Sequence, residues 1–175
     1  MNFSEFTQFL SGRASTRQYQ DRDVEPELLD QLLSLCSSAP SAGNVQSWDV
    51  VVVRDPSIKE CLADSALQQE HVSHAPVVLV VCANYVRAMA RYSERGILYA
   101  LEEASIVGTY LMLGAHAAGL ATCWTGGFDD EQVRDILGLP NHIRPVTLLT
   151  LGYSAEAAIS PARKDVQEHF HPDGW

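Results

Sequence analysis

Apolar residues recur at helical spacing in some stretches of the chain and run unbroken in others. Phe3, Phe6, Phe9 and Leu10 fall on one helical face behind Asn2 and Glu5, the two ends of a capping box. A second helix opens at Pro26, a favoured first-turn residue, and carries Leu28, Leu29, Leu32, Leu33 and Cys36. Trp48–Val53, apolar apart from Asp49, and the unbroken apolar run Pro76–Ala83 are short and rich in β-branched residues, the pattern of strands buried on both faces. Between them, Asp55-Pro56 caps a helix with Ile58, Leu62 and Ala66 at helical spacing. The pattern predicts one long helix from about Ser93 to Ala118, closed by Gly119 and apolar on nearly every side, as a deep core helix or a subunit contact would be. Asp129 starts another helix through Val133, Ile136 and Leu137 that Gly138 stops, and Val146–Leu151 reads as the last strand. Strands separated by helices make an α+β or α/β protein around one sheet.

The 175 residues suit a single domain, 1–175, with no repeat or linker to divide it. No unbroken apolar stretch reaches the roughly 18 residues of a membrane span, and Met1-Asn2-Phe3-Ser4-Glu5 is not the start of a signal peptide. A cytoplasmic protein without a membrane partner is therefore expected. A net charge of -10 opposes a nucleic-acid surface, yet leaves room for one small phosphorylated ligand held by two or three cations. The cysteines, 36, 61, 82 and 123, form no CxxC pair and read as reduced thiols. His71 with His74, and His169 with His171, lack a third ligand at metal-site spacing, so no metal is expected.

Three segments could carry chemistry, and each also has a plain structural reading. Arg13-Ala14-Ser15-Thr16-Arg17 gathers guanidinium forks and hydroxyls, which suit a phosphate monoester or simply a solvated loop. Pro40–Trp48 combines small residues with Asn44 and Gln46, fit for close approach to a flat ligand or for an ordinary helix-to-strand connection. Thr125-Gly126-Gly127 offers bare backbone N–H groups, as an anion or ring-heteroatom site needs and as any tight turn provides. Glu102 and Glu103 lie inside the apolar helix, so at least one needs a buried partner; a structural pairing is favoured over acid–base catalysis.

The order and spacing of these segments resemble the FMN-dependent nitroreductase family. Arg13, Ser15, Arg17 and Tyr19 match its opening R-x-S-x-R-x-Y stretch, and Ala39–Trp48 is similar to its A-P-S-x-x-N-x-Q-P-W loop. Gly119–Phe128 resembles the G-L-G-x-x-W-x-G-G-F segment, and Arg144-Pro145 with Leu151-Gly152-Tyr153 the closing strand. The resemblance implies an α+β fold with a central mixed sheet flanked by helices, an intertwined homodimer, and FMN at the subunit interface. Carried over by position, Arg13, Ala14, Ser15 and Arg17 hold the phosphate and polar ring edge, with Arg163 and Lys164 as a C-terminal clamp. Pro40, Ser41, Ala42 and Asn44 line the ring from the partner, Gln68 and His71 reach its pyrimidine edge, and Thr125, Gly126 and Gly127 meet N5 and O4. The implied activity is a ping-pong transfer from NADH or NADPH to nitroaromatic or quinone-type acceptors, with no catalytic residue beyond the cofactor-binding set. Other reactions on the same scaffold (dehalogenation, dehydrogenation, flavin fragmentation) and a flavin carrier without turnover remain alternatives. Three departures stand out: Ser47 replaces proline before Trp48, which is expected to loosen that loop; Tyr110 stands where asparagine is common; and the insertions that often cover the flavin are missing.

Overall fold

The computed structural model describes residues 1–157 and 159–175. Among these residues, seven α-helices and four strands follow one another as α1 (Phe3–Gly12), α2 (Pro26–Ser34), β1 (Trp48–Val53), α3 (Pro56–Ser65), α4 (His71–His74), β2 (Val77–Asn84), α5 (Tyr85–Tyr92), α6 (Arg95–Ala117), β3 (Ala121–Thr125), α7 (Asp130–Leu137) and β4 (Ile143–Gly152). The strands form one sheet in the order β1-β2-β4-β3, antiparallel at every strand pair. The α+β expectation holds. The parallel part of the mixed sheet comes down to one isolated bridge among the described residues, Ser15 beside Thr122.

The sheet separates two cores by simple alternation. Val77, Leu79, Val81 and Ala83 of β2 point to α2 and α6, meeting Leu29, Leu32, Ala104, Val107 and Leu111. Val78, Val80 and Cys82 point the other way, toward Leu62 and Ala63 of α3, Ala66 just after it and Val133 of α7. Covered on both faces, β2 is buried at all eight positions, which is why it reads as an unbroken apolar run. The similar run in β1 misleads. It lies at the sheet edge, half-buried for most of its length, with Val52 left 39% exposed.

The terminal signals act as their chemistry predicts. Asn2 and Glu5 close a reciprocal capping box, and Asp55 and Asp129 each accept two backbone N–H bonds at their helix starts. Gly119 and Gly138 take the left-handed conformation that ends a helix. Three elements lie outside the expected pattern. The short helix α5 precedes the long helix, its first turn capped by the Asn84 side chain. One-turn α4 is too brief to show a period. Strand β3 is only five residues long, and Gly126-Gly127 follow it directly with the composition of a turn.

Helix α6 spans 23 residues, about 35 Å at 1.5 Å per residue. By length and composition it is long and apolar enough to cross a bilayer, contrary to the sequence expectation. Its Ala100, Glu103, Ala104, Val107, Leu111 and Ala115 are instead buried inside the fold. Gly108 permits a close approach to the sheet: a Cβ there would meet the Trp124 ring of β3 at 2.6 Å. The other side of α6 stays open. Ile97, Leu98 and Tyr110 are exposed, and no residue of α1 is buried. Phe6, Phe9, Leu35, Tyr110 and Leu113 consequently line an apolar groove of about 460 Å³.

Candidate functional site

The Arg13–Arg17 segment leaves α1 as an extended chain laid along β3. Ser15 bridges Thr122, and Thr16 donates its N–H to the Thr122 carbonyl at 3.0 Å. Ala14 and Thr16 are buried, so Arg13, Ser15 and Arg17 turn to the opposite, outer side of the extended segment. Tyr19 then locks the segment to the sheet: its hydroxyl donates to the Thr16 carbonyl at 2.9 Å and lies 2.6 Å from Thr150 Oγ1. Burial pushes the Tyr19 phenol well above its ordinary range, so it acts as a neutral anchor. Arg13 and Ala14 line a cleft of about 270 Å³ with Thr122 and His116, while Arg17 lines a neighbouring one of about 600 Å³.

The second cleft brings in residues some fifty positions away. His71, at the start of α4, is 6% exposed, and its Nε2 shares a 2.7 Å hydrogen bond with Thr125 Oγ1 at the end of β3. Burial, and then the nearby Arg17 guanidinium, lower the His71 pKa below its usual value and keep the ring neutral. The turn before α4 holds Leu67 and Gln68 at positive φ (58° each), and Gln69 Nε2 donates to the Gly127 carbonyl at 3.2 Å. Arg13–Arg17, Gln68–His71 and Thr125–Gly127 are thereby drawn to one end of the sheet. The same neighbourhood reaches Cys123, whose thiol pKa is raised mainly by burial and held back by Arg17, Thr125 and Ser15.

Two other predicted groups are not drawn to that end. Pro40, Ser41 and Ala42 line a separate cleft of about 380 Å³ with Tyr99, Glu102, Glu103 and Ile106, on the N-terminal half of α6. This cleft shares no lining residue with the arginine clefts. Glu103 and His116, which mark the two regions, are separated by about 20 Å along the helix. Arg163 and Lys164 are exposed in an extended C-terminal segment and line none of these clefts.

The 40–48 loop is built with unusual care. Of the two helix carboxylates, Glu103 is the buried one, at 3% exposure, while Glu102 is exposed. Glu103 accepts from Ala42 N (2.8 Å), Ser47 N (2.6 Å) and Ser47 Oγ (2.6 Å). Ser47 therefore does not loosen the loop as expected. A proline there has no N–H and no hydroxyl and would forfeit two of the three bonds. Arg91 donates to the Gly43 carbonyl at 2.8 Å, and Arg87 donates to Gln46 and Trp48 carbonyls at 2.7 and 3.1 Å. Neither arginine is among the expected site residues, because both support the loop from outside it. Arg87 and Arg91 at i,i+4 beside Asn84 are the sequence signal that could have revealed α5 and its clamp.

With this geometry in view, the comparisons with known proteins fall into place. The family model described as the nitroreductase family matches residues 10–74 and 63–153. The chain belongs to the nitroreductase family. It is 37% identical over 172 residues to a protein named NADH dehydrogenase from Thermus thermophilus, covering 82% of this chain and 84% of that one. It is 27% identical to an iodotyrosine deiodinase from Haliscomenobacter hydrossis (93% of this chain, 86% of that one) and 27% identical to an NAD(P)H-type FMN reductase from Bacillus subtilis (98% and 75%). Among solved structures, NfrA2 of B. megaterium superposes with a TM-score of 0.91 at 26% identity, covering all of this chain and 76% of that one.

Proposed function

We propose that this nitroreductase-family oxidoreductase is an NAD(P)H-dependent enzyme that holds FMN in one domain, residues 1–175, and works as a homodimer. The observation that carries the reading is the convergence of Arg13–Arg17, Gln68–His71 and Thr125–Gly127, with His71 Nε2 and Thr125 Oγ1 2.7 Å apart. Phosphate-binding cations lie beside groups that can bond a heterocycle edge, the donor set an FMN requires. The FMN reductase relative supports the cofactor. Arg13, Ala14 and Ser15 would take the phosphate side, with Arg163 and Lys164 closing over it; Arg17, Gln68 and His71 would take the pyrimidine edge. Thr125, Gly126 and Gly127 would offer backbone N–H groups near N5. Pro40, Ser41, Ala42 and Asn44 of the partner subunit would cover the ring.

The split between the clefts supports the dimer. Within one chain the Ser41 loop and the arginines lie at different ends of α6, so a second copy is what brings them together. The apolar groove between α1 and α6 and the exposed Ile97 and Leu98 give that copy a hydrophobic seat. The reading is of a cytoplasmic enzyme, and the four cysteines are free, as a reducing compartment expects.

Bound FMN would supply the redox chemistry, hydride exchange at N5 between NADH or NADPH and a nitroaromatic or quinone-type acceptor. The chain orients that ring, excludes water with the partner's loop and sets the local charge. Donor and acceptor share one open face and alternate there, so double-reciprocal kinetic plots should be parallel. The likeness to iodotyrosine deiodinase supports a second reading, reductive dehalogenation at the same site.

Purified or reconstituted protein should bind a flavin that chromatographs as FMN after heat release, and NADH or NADPH should bleach its absorption without air. FAD, no flavin, or a flavin indifferent to both nicotinamides would overturn the proposal. Screening halogenated phenols against nitroaromatics and quinones decides between the two acceptor readings. Phe6→Asp in the groove should turn a dimer into a monomer by light scattering and cost flavin binding with it.

A further inference from the structure

His71 is the group in the candidate site best placed to change its charge. It is buried against β3, with Nε2 occupied by Thr125 Oγ1. Nδ1 makes no hydrogen bond among the described residues and is not one of the sealed, unpartnered atoms, so it is left to the cleft His71 lines with Arg17. The other titratable or charged groups around it are bonded elsewhere, buried or, like Glu70 and His74 in the lining of the same cleft, open to water. Arg17 is permanently charged. Tyr19 is tied to Thr16 and Thr150. Cys123 is a buried thiol, and Lys59 donates its amine to the Ala75 carbonyl. Glu156 accepts from the Arg17 N–H, and Glu70 and His74 on the same helix are exposed to water.

We propose that His71 is the proton acceptor that balances the negative charge gained at the ring edge each time the bound flavin is reduced. The inference rests on the FMN reading above. His71 starts neutral, because burial and Arg17 disfavour its charged form. For each hydride delivered by the nicotinamide, His71 takes one proton from cleft water onto Nδ1. As an imidazolium it donates through Nε2 to Thr125 Oγ1 and presents Nδ1–H to the cleft. When the acceptor removes the hydride, His71 returns its proton to the cleft, so the site's net charge is the same before and after reduction. Arg17 supplies a constant field that cannot follow the redox state; His71 supplies the part that can.

The test follows the imidazole itself. In ¹⁵N-histidine-labelled holoprotein at neutral pH, His71 should show the nitrogen pattern of a neutral ring while the flavin is oxidised. Anaerobic reduction with NADH or NADPH should convert it to an imidazolium. The midpoint potential should fall by about 60 mV per pH unit in the wild type, two protons for two electrons, and by about 30 mV in His71→Gln. The glutamine carboxamide keeps a bond for Thr125 but cannot take the proton. A reduced, FMN-loaded protein whose His71 stays neutral, or a variant with the wild-type slope, overturns this role while leaving the FMN reading standing. Apoprotein that takes up no FMN in a fluorescence titration overturns both.

Discussion

The Pro40–Trp48 loop and the segment after Ala155 are both assigned to the cofactor, yet the chain holds them in opposite ways. The loop stores strain: Gly43, Asn44 and Gln46 all have positive φ, between 53° and 58°. For the two non-glycine residues that costs about 1–2 kcal/mol each. Glu103 offsets it with three short bonds, and Arg87 and Arg91 add more, each charge-assisted bond contributing about 1.5–3 kcal/mol. The later segment has little of this. Ala155 N–H reaches the Gln18 carbonyl and Asp165 caps one short turn, but Ile159, Val166, Phe170 and Trp175 are all more than half exposed. The loop is made rigid by its own chain, whereas the tail leaves its apolar side chains largely exposed.

Breaking that contrast should cost most at Glu103. Glu103→Ala leaves the buried Ser47 N–H and hydroxyl unpaired and should lower unfolding stability by about 3–5 kcal/mol in urea titrations. An unchanged midpoint would mean the loop holds itself. Ser47→Pro, although it restores the residue common in the family, should still cost about 2–3 kcal/mol by the same measurement, because it removes two of the three donors to Glu103. Arg13→Ala should leave folding intact and weaken FMN binding by about 1.5–3 kcal/mol. Arg163→Ala should weaken it less, and more steeply with salt, as expected for a cation on an exposed tail. Equal losses at both arginines would erase the distinction between held and unheld regions.

The smallest effect concerns pH. His71 binds a proton less readily in the folded apoprotein than in the unfolded chain, where its pKa is about 6.5. Below that value the unfolded state takes up more protons, so stability falls as pH drops through it and is fully present above. His71→Gln should flatten this limb in thermal melts taken across mildly acidic pH. A limb that keeps its slope would assign it to other groups.

What the sequence made legible is what depends on a few neighbouring residues. The Asn2–Glu5 box, the Asp55-Pro56 and Asp129 starts and the Gly119 and Gly138 stops act within one turn, and all are found. The edge position of β1 could not be read, because Val50–Val53 look the same whether one face is covered or two. Likewise, β3 is short, and its glycine pair drew attention to the turn. In the site, Arg13–Arg17 and Thr125–Gly127 stand out by residue type but have an equally plain structural reading, and Gln68 and His71 are marked only by the family pattern. Glu103 could be marked as needing a partner, but not which one. Its donors lie 56 and 61 residues away, a separation no periodicity encodes.

Synthesis proceeds from the N-terminus, and the arginine segment is made among the first residues. Its anchors come late: Thr16 waits for Thr122, Tyr19 for Thr150 and Gln20 for Tyr153. Closing loops of more than a hundred residues is entropically slow compared with forming α1. A nascent chain stalled on the ribosome before residue 150 therefore carries Arg13 and Arg17 with only part of the surface they lie on. Capture of the FMN proposed for this segment would then wait until the last strand has entered the sheet.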